Sequence, residues 1–226
     1  MVDIRNPSQG FENQETFSVI FGKTKFQSGK IYTIHGKPKS GKTSVCLYLA
    51  NELHKKNKQG LYIDTEGKLD GYSLIEIYES LFKKLLYYTN IDKKEFQDIL
   101  NNLGIIIKEN NINFIIIDSL SYPFVKLKTK AVWKKSTEVY QKLKELTHKY
   151  KLITVVVTYS IKKWKEGMEI ARGGDIISHF SDEIIRIAKD SQKRKKGVET
   201  KFSCLIKPDG AKILFVIQGG VIKSIG

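Results

Sequence analysis

The sequence predicts an α/β domain built on a mostly parallel, twisted sheet, with helices on both faces and a C-terminal antiparallel hairpin. Short apolar runs alternate with helical patterns along the chain, which is typical of parallel strands joined by crossover helices. Residues 113–118 and 152–157 are nearly continuous apolar runs rich in β-branched side chains, as expected of strands buried on both faces. After Glu183, strand-like segments follow one another without intervening helices, which predicts the hairpin.

The individual elements follow from these patterns. We predict strands at residues 30–35, 60–64, 113–118, 152–158, 183–188, 201–207 and 212–217. Apolar residues at helical spacing predict helices between the strands, in stripes made of Leu74, Tyr78, Leu81 and Leu85, of Phe96, Ile99, Leu100 and Leu103, and of Val139, Leu143, Leu146 and Tyr150. The segment Pro208-Asp209-Gly210 predicts the turn of the C-terminal hairpin.

Composition limits the classes of function. The chain has 226 residues, with 39 Lys and Arg against 24 Asp and Glu, a formal net charge of +15 that favours polyanionic partners. This length fits one domain. No apolar run approaches the ~18 residues of a membrane-spanning helix, and the polar start lacks the core of a signal peptide. Because both cysteines, Cys46 and Cys204, lie in apolar segments, we expect buried thiols and a cytoplasmic protein.

A phosphate-binding loop is the most specific motif in the chain. The segment beginning at Gly36 and ending at Thr43 fits GxxxxGK[ST], between a predicted strand and a predicted helix. Backbone N–H groups of such a loop and the helix N-terminus attract phosphate. Lys42 would reach the β- and γ-phosphates, and the Thr43 hydroxyl would bind Mg²⁺. The alternative is a glycine turn before an ordinary helix. The predicted nucleotide-binding residues are Gly36, Lys37, Pro38, Lys39, Ser40, Gly41, Lys42, Thr43 and Ser44.

Two carboxylates at the ends of predicted strands complete the hypothesis. Asp118 ends the most apolar strand, where a charge is costly unless a metal or a donor meets it, so we predict a second Mg²⁺-site residue there. A helix-capping role for Asp118 is the alternative. Glu66 follows another strand, and a carboxylate at that edge can polarise an attacking water, whereas most glutamates are simply solvated.

Together these segments resemble the RecA/RadA recombinase superfamily, most closely its short archaeal RadB-like paralogues. The segments that carry the resemblance are the loop at 36–43 and the stretches 62–67, 115–119, 155–158, 172–175 and 207–210. The resemblance implies a RecA-like P-loop NTPase core over residues 22–226, preceded by an N-terminal segment at 1–21. It also implies ATP and Mg²⁺ as ligands, Glu66 as the water-activating carboxylate and Asp118 as the Walker-B acid.

The resemblance further implies two DNA-binding loops, at about 121–135 and between Thr158 and Gly173. Basic residues interleaved with aromatic ones suit single-stranded DNA, since cations bind phosphates and rings stack on bases. Solvated, lysine-rich loops are the alternative in so basic a chain, and the run at 193–196 could instead be a solvated hairpin tip or a phosphate contact. The predicted DNA-binding residues are Lys126, Lys128, Lys130, Lys162, Lys163, Trp164, Lys165 and Arg172.

Four departures from the family pattern favour an accessory paralogue. Tyr159-Ser160 stands where the family commonly has Asn-Gln, which puts coupling between DNA binding and hydrolysis in doubt. Tyr72 stands near the position of an adenine-stacking Arg and is our candidate for that stacking contact. The segment at 17–20 lacks the Ala of the family's Phe-x-x-Ala motif, which leaves homo-oligomer formation open. The residues before the core are too few for the additional N-terminal domain of full-length recombinases.

The leading hypothesis is therefore a slowly ATP-hydrolysing recombinase paralogue in homologous recombination and DNA repair. Its expected partners are single-stranded DNA and a RadA-type recombinase or another paralogue. One alternative is a non-catalytic interaction protein that ATP switches between conformations. Another is a small-molecule P-loop kinase, although few arginines are available to clamp phosphates: Arg172, Arg186 and Arg194 beyond Arg5.

Overall fold

The computed structural model describes residues 16–22, 24–70, 76–124, 129–162, 169–189, 200–206, 212–218 and 221–225. Its strands are β1 (Ser18–Phe21), β2 (Thr24–Gln27), β3 (Lys30–Gly36), β4 (Gly60–Asp64), β5 (Leu86–Thr89), β6 (Phe114–Asp118), β7 (Ile153–Lys162), β8 (Glu169–Ala171), β9 (Glu183–Lys189), β10 (Thr200–Ile206), β11 (Lys212–Gln218) and β12 (Val221–Ile225). Its helices are α1 (Lys42–Lys55), α2 (Glu79–Phe82), α3 (Lys93–Glu109), α4 (Thr129–Lys149) and α5 (Gly174–Phe180), with a 3₁₀ turn at Lys68–Asp70.

A ten-stranded sheet forms the centre of the fold. Nine strands run in the order β12-β11-β10-β9-β3-β7-β6-β4-β5, and β8 pairs with β7 off this path. The pairs from β9 to β5 are parallel, whereas β9, β10, β11 and β12 pair antiparallel to one another. The predicted mostly parallel sheet with a C-terminal hairpin, β10–β11, is confirmed. The turn residues Pro208-Asp209-Gly210 lie outside the described residues.

Each face of the sheet carries its own apolar core. Along β3, Ile31 packs into one core while Tyr32 and Ile34 pack into the other, as the two-residue repeat of a strand requires. The first core includes α1 and the β1–β2 hairpin, and the second includes α3 and α4. Cys46 is fully buried in the first core, as predicted. Because both faces are covered, the functional groups are confined to the edge where the parallel strands end.

Five strands, β1, β2, β5, β8 and β12, are absent from the sequence prediction. They are short, and only part of each faces a core, so they lack the continuous apolar runs that identified the others. The β1–β2 hairpin spans the proposed boundary between residues 1–21 and 22–226, and that division stays a prediction.

The stripe that begins at Leu74 predicts a helix, and the described chain is helical at residues 76–77 and in α2, with Leu85 N donating to the Leu81 carbonyl at 2.8 Å before β5 begins. Leu74 lies outside the described residues. The buried residues Leu81 and Leu85 fit a helical spacing, but so short an apolar stripe does not define where a helix ends. The stripes on α3 and α4 are confirmed as helices. No helix in the described part of the chain combines the length and apolarity needed to cross a bilayer.

Candidate functional site

The phosphate-loop motif forms the connection from β3 to α1. Gly36 ends β3 so close to β9 that a Cβ there would lie 2.3 Å from the Ile187 carbonyl oxygen and 2.6 Å from Ser40 Oγ. Gly41 precedes the helix with a φ of 105°, a conformation that side-chain-bearing residues rarely adopt. The two glycines of the motif are therefore required by the backbone path, and the loop wraps toward the N-terminus of α1.

Lys42, the first residue of α1, points back into this loop. Its Nζ donates hydrogen bonds to the carbonyl oxygens of Gly36 and Lys37, both at 2.9 Å. Burial first, and then the nearby Lys68 ammonium, lower the pKa of Lys42 to about 8. The ammonium also lies 5.4 Å from the centre of the Tyr159 ring. Lys42 is thus a buried cation held inside the loop.

Thr43 and Asp118 meet although they are far apart in sequence. Thr43 Oγ1 donates to Asp118 Oδ2 at 2.6 Å, and the Tyr62 hydroxyl donates to the same oxygen at 3.2 Å. Asp118 ends β6 and is 1% exposed. The parallel pairings that link β3 to β6 through β7 place the carboxyl ends of these strands at one edge. The two residues predicted for the metal site are therefore in direct contact.

Glu66 lies at the same edge, just past the end of β4. Ser119 Oγ donates to its Oε1 at 2.7 Å, and the Tyr159 hydroxyl also hydrogen-bonds to this carboxylate. Burial would raise the pKa of Glu66, but these two hydrogen bonds and the Lys68 charge outweigh it, so the pKa lies below its ordinary value. Glu66 is consequently ionised at neutral pH.

Lys68 is a site residue that the sequence analysis missed. Its Nζ lies 3.1 Å from Glu66 Oε1 and 3.4 Å from Asp118 Oδ1, so it bridges the two carboxylates. Burial would lower the pKa of Lys68, but Asp118 and Glu66 outweigh it and raise the pKa above its ordinary value. The feature of the sequence that could have identified Lys68 as a site residue is its position two residues after Glu66, past the end of the same strand, β4.

The turn that carries Glu66 and Lys68 is anchored by Asp64. The Asp64 carboxylate, which is fully buried, accepts hydrogen bonds from Glu66 N at 3.1 Å and Leu69 N at 2.8 Å. Thr89 Oγ1 adds a third at 3.1 Å. Asp64 is thus structural, and it fixes the backbone on both sides of Glu66 and Lys68.

The phosphate loop, Glu66 and Lys68 line one cavity of about 350 Å³. Asp118 is joined to it through Thr43, which lines the cavity and hydrogen-bonds to Asp118. Tyr72 lies outside the described residues. The residues lining the cavity are Pro38, Lys39, Ser40, Gly41, Lys42, Thr43, Ser44, Glu66, Lys68, Tyr159 and Ile217.

The donor set of this edge suits Mg²⁺. Within the described ranges, no three His, Cys, Asp or Glu side chains gather as a metal cluster. Mg²⁺ is normally held by one or two protein oxygens together with substrate phosphates, so it needs no such cluster. Thr43 Oγ1 and Asp118 Oδ2, 2.6 Å apart beside the loop, are two hard oxygen atoms of the kind it prefers.

Comparison with known proteins agrees with this geometry. The family described as the RecA N-terminal domain matches residues 11–201. The chain belongs to the RecA family. It is 28% identical over 210 residues to the DNA repair and recombination protein RadB of Methanosphaera stadtmanae, covering 87% of this chain and 88% of that protein. RadB of Methanococcoides burtonii is 26% identical over 206 residues, covering 88% and 90% of the two chains.

A third relative comes from outside this group. Protein RecA of Mycoplasma genitalium is 25% identical over 210 residues, covering 84% of this chain and 61% of that protein. The RadB proteins thus match this RecA-family chain along most of both lengths, while the RecA protein extends well beyond the matched region.

Tyr159 occupies the position where the sequence analysis noted the missing Asn-Gln pair of the RecA family. Burial first, and then its hydrogen bond to Glu66, raise the pKa of Tyr159 to about 12, so the hydroxyl keeps its proton at neutral pH and donates to Glu66. The neighbouring Ser160 Oγ lies 2.9 Å from His35 Nδ1. A tyrosine on β7 therefore contacts Glu66.

The segments predicted to bind DNA follow neighbouring parallel strands, β6 and β7. The first loop was predicted to reach about residue 135, but α4 already begins at Thr129, so this loop is shorter than predicted. The second loop was predicted between Thr158 and Gly173, but β7 continues to Lys162 and β8 occupies Glu169–Ala171, so it is shorter as well. Arg172 N donates to the Tyr159 carbonyl at 2.8 Å. Lys130 lies in α4 and Lys162 ends β7, but neither side chain is described. The residues outside the described ranges are Lys126, Lys128, Lys163, Trp164 and Lys165.

Proposed function

We propose that this chain is a RecA-family recombinase paralogue of DNA repair and recombination that binds ATP with Mg²⁺ and hydrolyses it slowly. The observation that carries the proposal is one cavity lined by the phosphate loop and Glu66, with Thr43 of the loop hydrogen-bonded to Asp118. The RadB proteins support the biological role, since their printed names assign them to DNA repair and recombination and they match most of this chain.

The phosphates of ATP are bound by the loop. Backbone N–H groups of the loop and the N-terminus of α1 attract the phosphate oxygens, and the Lys42 ammonium neutralises their charge. Thr43 and Asp118 would hold Mg²⁺, which supplies positive charge to the phosphate oxygens. Tyr72 stays our prediction for the contact with the adenine ring.

Glu66 is the residue proposed to act on water. Its carboxylate is ionised and lines the same cavity as Lys42 and Thr43, where it can orient a water molecule toward the terminal phosphate. Hydrogen bonds from Ser119 and Tyr159 weaken it as a base, because a carboxylate with a lowered pKa accepts a proton less readily. This restraint on Glu66 supports slow turnover.

Single-stranded DNA is the proposed polyanionic partner. The chain carries a formal net charge of +15, and in the sequence lysine-rich stretches come after β6 and at the end of β7, two strands that pair in parallel. Cations for phosphates and aromatic rings for bases are the components of single-strand channels. A RadA-type recombinase, another paralogue or a second copy of this chain is the proposed protein partner.

One observation favours a second candidate, an ATP-switched interaction protein without useful turnover. Tyr159 replaces the family's amide-bearing residues and ties Glu66 to β7. In that case bound ATP would change the conformation that a partner recombinase recognises, and hydrolysis would be incidental.

The deciding experiment measures phosphate release from ATP by the full chain, alone and with single-stranded DNA and a purified RadA-type protein. Turnover that DNA or the partner stimulates supports the recombinase paralogue. ATP binding without turnover under every condition supports the second candidate. Transfer of the phosphate to a metabolite instead of water would contradict both.

A further inference from the structure

Lys68 places a second ammonium group in the proposed nucleotide site. Its Nζ is 3.1 Å from Glu66 Oε1 and 3.4 Å from Asp118 Oδ1, and its side chain lines the same cavity as the phosphate loop. The side chain is 33% exposed, against 11% for Glu66 and 1% for Asp118, so it enters the site from the solvent side.

The backbone at this position is fixed. Gly67 adopts a φ of 67°, which turns the chain sharply between Glu66 and Lys68. The next residue, Leu69, is fully buried and donates its N–H to the buried Asp64 carboxylate at 2.8 Å. Lys68 is therefore presented from a rigid turn, and its flexible four-carbon stem lets the ammonium change partners within the cavity.

The two ammonium groups occupy different ends of the site. Lys42 Nζ lies against the loop carbonyls of Gly36 and Lys37, inside the loop that would hold the inner phosphates. Lys68 Nζ lies on Glu66, the carboxylate proposed to orient the attacking water. Because that water must face the terminal phosphate, an ammonium bound to Glu66 is next to the terminal phosphate as well.

We propose that Lys68 is a specificity-determining residue that binds the terminal phosphate from within the same chain and makes the site prefer nucleoside triphosphates to diphosphates. On binding, Lys68 exchanges its longer contact, with Asp118, for a phosphate oxygen and keeps its contact with Glu66. Without the Lys68 contact, the Asp118 carboxylate would be available to hold Mg²⁺ together with Thr43. This inference rests on the proposed nucleotide function and deepens it.

The competing explanation is that Lys68 only balances the charge of two neighbouring carboxylates. That role would stabilise the site equally for both nucleotides, since neither carboxylate is part of the ligand. Comparing a triphosphate with a diphosphate separates the two explanations, because only the proposed contact involves the third phosphate.

The test measures by calorimetry the affinities of the full chain for ADP and for a non-hydrolysable ATP analogue, each with Mg²⁺. In Lys68→Met, the analogue should bind about 10-fold more weakly, as expected on losing one hydrogen bond to a charged group, while ADP affinity changes less than about 2-fold. Lys68→Arg should retain most of the preference. Lys83→Met, which removes an exposed lysine that pairs with Glu79 on α2, is the matched control and should change neither affinity.

The outcomes separate the two proposals. If Lys68→Met weakens or strengthens both nucleotides equally, or changes neither, the inference about Lys68 is wrong while the nucleotide site stands. If the unmodified chain binds neither nucleotide, both proposals fail. Should Lys68→Met not fold, Lys68→Gln provides the same comparison, because its amide can still donate to Glu66 and Asp118 but carries no charge for the phosphate.

Discussion

Ser119 Oγ donates a hydrogen bond to Glu66 Oε1 at 2.7 Å, which ties the residue after β6 to a residue two positions past the end of β4. The same two turns are joined a second time, because Thr65 Oγ1 donates to the Ser119 carbonyl at 2.7 Å. The carboxylate proposed to orient water is thus held in a fixed position relative to Asp118.

Glu66→Gln should keep ATP binding and lose turnover. The amide is the same size as the carboxylate, but it cannot accept a proton from water, and a general base typically contributes about 10²–10⁴-fold. We expect phosphate release to fall at least about 100-fold while ATP affinity stays within about 3-fold. Glu79→Gln, at an exposed position on α2, serves as the control. Unchanged phosphate release in Glu66→Gln would contradict the assigned role.

Tyr159→Phe should shift the pH dependence of turnover. The Tyr159 hydroxyl stabilises the ionised form of Glu66, so its removal raises the pKa of that carboxylate. Since Glu66 acts in its ionised form, the acidic limb of the rate profile should move to higher pH. Steady-state rates across the acidic range measure this, with Tyr87→Phe as the exposed control. An acidic limb that stays in place, or moves to lower pH, would show that the hydroxyl does not tune Glu66.

Asp64→Ala should lower both stability and turnover. The change leaves the N–H groups of Glu66 and Leu69 without their acceptor, and losing hydrogen bonds to a buried charge costs about 2 kcal/mol or more. Asp92→Ala removes the N-cap of α3, far from the site in sequence, and should cost about 1 kcal/mol without affecting turnover. Urea unfolding and phosphate release measure the two effects. Full turnover in Asp64→Ala would mean that the turn does not depend on this anchor.

Replacing Lys162, Lys163 and Trp164 together by alanine should weaken binding to single-stranded DNA. Each lost phosphate contact should reduce the slope of log affinity against log salt by roughly 0.7. Fluorescence anisotropy of a labelled oligonucleotide over a series of salt concentrations measures both quantities. The matched comparison replaces the basic run at 193–196 by alanine. If only this second variant loses affinity, the DNA-binding residues are those of the basic run, and if neither does, the DNA role fails.

The parallel core of the fold could be predicted because its strands are buried on both faces. Such strands carry nearly continuous apolar runs, as in β6 up to Ile117 and in the first half of β7, and this pattern is visible in one sequence. The strands missing from the sequence prediction are short and only partly buried, so no continuous apolar run marks them. In β1, for example, Val19 and Phe21 are buried while Ile20 is 57% exposed.

The candidate site was predictable where a motif prescribes the chemistry. The glycines and the GK[ST] end of the phosphate-loop motif specify its backbone conformation, so the sequence alone predicts Lys42 and Thr43 as residues of the nucleotide site. Lys68 was not, because its importance depends on Asp118, which is distant in sequence and is brought within 3.4 Å only by the pairing of β4 with β6. The contact of Tyr159 with Glu66 likewise depends on the sheet and is not encoded by local spacing.

Calorimetric titration of the full chain with ATP and Mg²⁺, compared with Lys42→Ala, tests the proposed nucleotide site most directly. The unmodified chain should bind one nucleotide per site, and Lys42→Ala should bind about 100-fold more weakly or not measurably, because it loses the buried loop ammonium proposed to neutralise the phosphates. Equal affinity in the two proteins, or no binding by the unmodified chain, would contradict the assignment of this cavity to ATP.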